Sequence, residues 1–122
     1  MPGSLSDPHR SRIMTENSKI LERVYSVIES RRGSNPASSY TALLLSQGTP
    51  EIARKVGEEA VETITAALAA DNKHIVAESA DLLFHLLVLW AEKGITPEEV
   101  WAELIRREGT SGLEEKSARP KE

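Results

Sequence analysis

Two short acidic clusters carry the chemistry in this sequence. The first is KVGEEAVE, with Lys55 ahead of Glu58, Glu59 and Glu62; the second is ESAD, with Glu78 and Asp81. On a helix, residues three or four apart share a face, and like charges there repel by about 0.2–0.5 kcal/mol per pair. Water can screen that repulsion, or a cation can offset it. At about 100° per residue, Lys55, Glu58, Glu59 and Glu62 fall on one arc, with Val56, Ala60, Ile64, Ala67 and Leu68 on the other side. Taken alone, this is an amphipathic helix with a solvated acidic face.

The second cluster changes that balance. Glu78 and Asp81 lie in KHIVAESADLLFHLLVLWAEK, which is apolar nearly all round from Ile75 to Ala91. Such a helix is buried by neighbours or by a partner subunit. An ionised carboxylate among Leu82, Leu83, Phe84 and Leu86 is costly unless it is paired or bound to metal. Arg54 and Lys55 could neutralise two charges, which leaves most of the acids uncompensated; a divalent cation would serve them. Glu59-x-x-Glu62 and Glu78-x-x-Asp81, on antiparallel neighbouring helices, would converge on one spot. The segment between them, 63–77, has room for the end of one helix, a turn and the start of the next. Magnesium takes oxygen ligands and is usually held by few carboxylates together with water and substrate phosphates. A di-iron centre fits less well: it uses Glu-x-x-His, and no glutamate here has histidine three residues on. His85 extends the Glu78–Asp81 stripe by one turn and reads as a satisfied buried histidine, not a ligand.

The elements that must position these acids are helical. Residues 1–16 carry Pro, Gly, Ser and charge without periodicity and read as a disordered leader; Met14 opens MTENSKI, so the first thirteen residues could precede the native start. Ile20, Leu21, Val24, Val27 and Ile28 recur at helical spacing and define a helix from Asn17 to about Arg31. After the turn-rich RRGSNPASS comes SYTALLLSQ, a short apolar helix closed by Gly48. Thr49 then caps a helix with Pro50 in its first turn, running to about Ala70, where DNK breaks it. A fourth spans about Lys73 to Lys93 and ends at Gly94. TPEE starts a fifth, with Glu99 completing a capping box, and it ends near Arg107. No strand pattern is present. The reading is an all-α bundle of about five helices, with the domain at 17–108 and a polar tail at 109–122.

Composition bounds the rest. The 122 residues make one domain with a modest core, and the net charge of -4 lacks the basic face that nucleic-acid binding requires. The chain has no cysteine, hence neither a disulfide framework nor a zinc–thiolate site, which fits a reducing cytoplasm. There is no apolar signal segment at the N-terminus. The longest apolar run, around Leu82 to Ala91, is too short to span a bilayer. The expectation is a soluble cytoplasmic protein.

EEAVE, fifteen residues, then ESAD resembles the EExxE…ExxD signature of the MazG-like all-α nucleoside-triphosphate pyrophosphatase superfamily. SYTALLLSQG, KVGEEAVE, AESADLLFHLLVLWAEKGI and GTSGLEEKSARP, in that order over about residues 19–119, further resemble the phosphoribosyl-ATP pyrophosphatase family of histidine biosynthesis. The resemblance implies hydrolysis of phosphoribosyl-ATP to phosphoribosyl-AMP and pyrophosphate with Mg²⁺. It implies Glu59, Glu62, Glu78 and Asp81 as metal ligands. Glu58 would orient the attacking water or stand behind the ligands, and Glu58 and Glu59 would be the catalytic acids. Lys55 would face the phosphates, or serve only as the i,i+4 partner of Glu59. Ser39 and Thr41 could bond phosphate or ribose oxygens, although Ser39 also fits an N-cap; Tyr40 reads as packing. Lys116 and Arg119, in SGLEEKSAR, would near the substrate if that segment folds over the site, and a frayed tail is the other reading. Family members often carry lysine after YTA, where this chain has Leu43, so Arg31, Arg32 or Lys55 would supply the missing cation.

The apolar fourth helix points to a homodimer in which two chains complete the bundle, with sites near the interface. Some family members are fused to phosphoribosyl-AMP cyclohydrolase; 122 residues leave no room for it, so any functional link would be to a separate protein. Two rivals remain open. A house-cleaning nucleotide or dUTP pyrophosphatase would share the acids but not the SYT and SGLEEK flanks. A non-catalytic helical dimer would leave the acids solvated and show no magnesium-linked stabilisation.

Overall fold

A computed structural model describes residue 17 and residues 19–119; the expected leader, 1–16, lies outside the described residues. Among these residues the chain forms six helices and no strand: α1 (Ile20–Ser30), α2 (Tyr40–Gln47), α3 (Thr49–Leu68), α4 (Asn72–Lys93), α5 (Pro97–Arg107) and α6 (Gly112–Ala118). The all-α expectation is borne out, with one helix more than the five expected. The extra one, α6, lies where the sequence reads as polar tail. Ser111 and Glu114 make a reciprocal capping box at its start, which satisfies two otherwise unpaired N–H groups at once.

Local chemistry sets the other boundaries. Ser39 caps α2 by accepting from the Ala42 N–H at 3.1 Å. Asp71 caps α4 by accepting from the His74 N–H at 3.2 Å, and Thr96 with Glu99 forms both halves of a box on α5. Thr49 does not cap α3 as expected. It is already the first helical residue, and the cap position falls to Gly48 at φ 87°, with no side-chain bond. That left-handed backbone favours glycine and lets α2 turn directly into α3. Gly94, at φ 72°, ends α4 while Ile95 N–H bonds the Trp90 carbonyl at 2.8 Å.

The core gathers on α4. Leu87, Val88 and Ala91 pack with Ile28 of α1, Leu44 of α2 and Ile52 of α3. The antiparallel α3–α4 hairpin is the most extensive helix contact; α1 and α2 also pack on α4, and α5 meets α1. Tyr25 donates its hydroxyl to the Ile95 carbonyl at 2.7 Å. Trp101 donates its indole N–H to Glu22 at 2.5 Å, and its ring meets Trp90 edge-on at 6.1 Å. These contacts tie α1 and α5 to each other and to the C-terminal end of α4.

Two expectations change. By length and apolar composition α4 could cross a membrane, so its longest uninterrupted run understated it. Two acids stand in its N-terminal half, Glu78 and Asp81, and ionised groups at membrane depth are expensive; packing against α1, α2 and α3 covers part of its apolar surface. The inward strip of α3 is also narrower than expected: Ile64, Ala67 and Leu68, opposite the acidic arc, are exposed, Leu68 by 85%, while Ile52 and Ala66 are buried. Glu59 of the acidic arc is buried. Glu59 turns toward α4, where Glu78, Asp81 and His85 stand, and an apolar stripe is left outside.

Candidate active site

The α3–α4 hairpin sets the acids of two helices against each other. Glu59, Glu78 and Asp81 each offer a carboxylate oxygen, and all three oxygens lie within 4.8 Å of one another. Glu58, Glu59 and Glu62 form a second such group that shares Glu59. Glu59 is therefore the pivot, and only 7% of it is exposed. Of the four expected ligands, Glu59, Glu78 and Asp81 come together across the hairpin, and Glu62 groups with Glu58 and Glu59 on α3.

The electrostatics separate the two neighbouring glutamates. Burial, then the charges of Glu62 and Asp81, push the Glu59 carboxyl above its ordinary value, opposed by His85 and Lys55. Glu58 goes the other way. Hydrogen bonds from Lys55 (2.9 Å) and Arg54 hold its carboxyl below the usual range. Lys55 stands 4.0 Å from Glu59 as well, so both readings of Lys55 keep their geometry: it is an intrahelical partner and it borders the carboxylates. Arg54 is shared between Glu51 and Glu58.

Do these residues fit a divalent cation? Glu78 Oε1 is buried and has no hydrogen-bond partner among the described residues. A buried carboxylate oxygen without a donor is destabilising, and here it belongs to a trio of converging acids with Lys55 as a distant counter-charge. An all-oxygen set of this kind suits a hard cation. The residues fit.

Beside the trio, a cleft of about 310 Å³ opens between the end of α3 and the start of α4, lined by Glu62, Thr65, Ala66, Asp71, His74 and Glu78. Thr65, Asp71 and His74 are absent from the sequence-derived set. Asp71 could have been found from its capping position; nothing in the spacing singles out Thr65.

The remaining expected residues divide. His85 is buried and doubly hydrogen-bonded, to the Asp81 carbonyl and to Tyr40. Ser39 spends one lone pair on its cap, and Thr41 is half-buried one residue beyond Tyr40. Lys116 and Arg119 are exposed at the end of α6, which has no extensive packing on α3 or α4 within the chain. Of the three cations weighed for the role of a lysine at Leu43, Arg32 is taken: it bonds Glu29 and the Ala91 carbonyl, about 15 Å along α4 from Asp81. Lys55 is the one seated at the acids.

A helical hairpin that brings carboxylates together around a buried glutamate defines a class: all-α proteins with an inter-helix oxygen centre able to hold a metal ion. Comparison narrows the class. Residues 21–108 match the family described as phosphoribosyl-ATP pyrophosphohydrolase. A protein named phosphoribosyl-ATP pyrophosphatase from Paramagnetospirillum magneticum is 57% identical over 108 residues, 88% of this chain and 99% of the relative. Proteins of the same name from Rhizorhabdus wittichii and Rhodospirillum rubrum are 56% and 54% identical, covering 83% and 84% of this chain and 95% and 88% of the relatives. The chain belongs to the phosphoribosyl-ATP pyrophosphohydrolase family, as its motifs imply.

Proposed function

We propose that this chain hydrolyses phosphoribosyl-ATP to phosphoribosyl-AMP and pyrophosphate, the second step of L-histidine biosynthesis, with Mg²⁺ held by Glu59, Glu62, Glu78 and Asp81. The observation that carries the reading is the convergence of Glu59 with Glu78 and Asp81 across the α3–α4 hairpin, in a chain of this family. Bound Mg²⁺ would neutralise phosphate charge and make water a better nucleophile. The chain's own groups do the rest. Lys55 presents an ammonium beside the acids for phosphate oxygens. Glu58, kept ionised by Arg54 and Lys55, orients the attacking water as an acceptor. Glu59, buried and common to both acidic groups, would hold the cation beside that water. Phosphoryl transfer needs positioning and charge neutralisation more than covalent chemistry, and the site supplies both.

The test is pyrophosphate release from phosphoribosyl-ATP, with dUTP and dCTP assayed beside it. Release from phosphoribosyl-ATP that EDTA abolishes and Mg²⁺ restores is the expected result. A preference for dUTP or dCTP would transfer the chain to the house-cleaning reading.

The site is proposed to work in a cytoplasmic homodimer whose product passes to phosphoribosyl-AMP cyclohydrolase. Val61, Ile64 and Leu68 on α3 and Val76 and Leu83 on α4 are exposed apolar side chains at helical spacing, and a second copy would cover them. Sedimentation at micromolar concentration should give twice the chain mass, and Ile64→Asp should shift it toward monomer. A wild-type monomer at that concentration refutes the dimer.

A further inference from the structure

One buried group is unused by the chemistry above. His85 is 5% exposed and sits one turn beyond Asp81 on α4. Its Nδ1 lies 2.8 Å from the Asp81 backbone carbonyl. A carbonyl only accepts, so Nδ1 carries a proton. Its Nε2 lies 3.0 Å from the Tyr40 hydroxyl. Tyr40 is the first residue of α2, held at that point by the Ser39 cap.

The three rings form a cluster: Tyr40 meets His85 at 5.9 Å and 78°, and Phe84 meets His85 at 5.2 Å and 90°. His85 also neighbours Glu59, and Tyr40 neighbours Lys55. A continuous path of hydrogen bonds therefore runs from the start of α2 to the backbone of the turn that carries Asp81. Without it, repulsion between the acids of α3 and α4 would favour a wider hairpin.

We infer that Tyr40 and His85 are a positioning pair: their hydrogen bond, passed on through the Asp81 carbonyl, fixes the Asp81 turn against Glu59 at the spacing a divalent cation requires. This rests on the reading of Glu59, Glu78 and Asp81 as metal ligands. Neither residue touches substrate in this role. Hydrogen-bond partners of metal ligands typically contribute 10- to 100-fold to affinity; this pair acts one step further out, through backbone, so about 3- to 10-fold is expected.

The experiment measures the rise in melting temperature against Mg²⁺ concentration, without substrate, for wild type, Tyr40→Phe, His85→Gln and the double variant. Each single variant should raise the half-saturating Mg²⁺ about 3- to 10-fold, and the double variant should match the larger single effect, because one bond is being broken. An unmoved midpoint with a lower melting temperature, a purely structural role, overturns the inference; so do single effects that multiply. If wild type itself shows no Mg²⁺-linked rise, the metal reading fails and takes the inference with it. Should His85→Gln not fold, Tyr40→Phe and the ¹⁵N shifts of wild-type His85 decide. Protonated Nδ1 and a shifted midpoint support the pair; unprotonated Nδ1 overturns it.

Discussion

Glu59→Gln should abolish pyrophosphate release while making the metal-free protein more stable. The variant keeps the shape of the side chain and removes the charge at the one residue common to both carboxylate groups. Loss of a hydrogen-bond partner of a metal ligand reduces affinity or activity by roughly 10- to 100-fold, so loss of a ligand itself should exceed about 100-fold. The helical circular dichroism spectrum should be unchanged. Stability should move in the opposite direction, because burial and neighbouring acids raise the Glu59 carboxyl above its ordinary value. A carboxyl with a raised folded-state value weakens the fold where both folded and unfolded states are ionised. That deficit shrinks as pH falls through the folded-state value. In EDTA, the melting temperature of Glu59→Gln should exceed that of wild type at pH 7, and the gap should narrow as pH falls through the folded-state value. Near-normal turnover would refute the assignment of Glu59; a lower metal-free melting temperature at pH 7 would refute the account of its electrostatics.

Leu87→Ala should be the most damaging simple truncation in the core. Leu87 is fully buried on α4 and packs with Ile28, Leu44 and Ile52 from three other helices. Buried leucine-to-alanine changes lower stability by about 2–5 kcal/mol, through lost transfer energy and the cavity left behind. In a domain of this size each kcal/mol lowers the melting temperature by roughly 4–8 °C, so a fall of about 10 °C or more is expected. Leu113→Ala serves as the control: that side chain is exposed on α6 and should change melting by less than about 0.5 kcal/mol. Equal effects at the two positions would mean that α4 is not the hub of the core.

Much of this was legible before any coordinates. The acids could be paired across two helices because their spacing is set by the helical repeat, and the repeat is local. The starts of α2, α4 and α5 follow from Ser39, Asp71 and Thr96, whose hydroxyl or carboxylate oxygens bond N–H groups three residues on. Thr49 failed that rule because Gly48 took the cap position with a backbone angle that spacing does not encode. The inner strip of α3 was hidden for a different reason. Periodicity says which side is apolar, not which side meets α4; Ile52, Glu59 and Ala66 take the inner positions while Ile64 and Leu68 are exposed. The Tyr40–His85 bond joins residues forty-five apart, and no local pattern announces a contact of that range.

The short turn through Ala69–Asp71 has a kinetic consequence. The largest helix contact, α3 with α4, joins segments adjacent in the chain, and topologies dominated by local contacts fold in microseconds to milliseconds. The hairpin can zip from that turn before distant segments arrive. Docking of α1, which meets α5 through Glu22 and Trp101, 79 residues apart, closes the longest loop and is the natural last step. The acids would then be brought face to face early, so ions in the folding buffer should accelerate collapse before the remaining core is assembled.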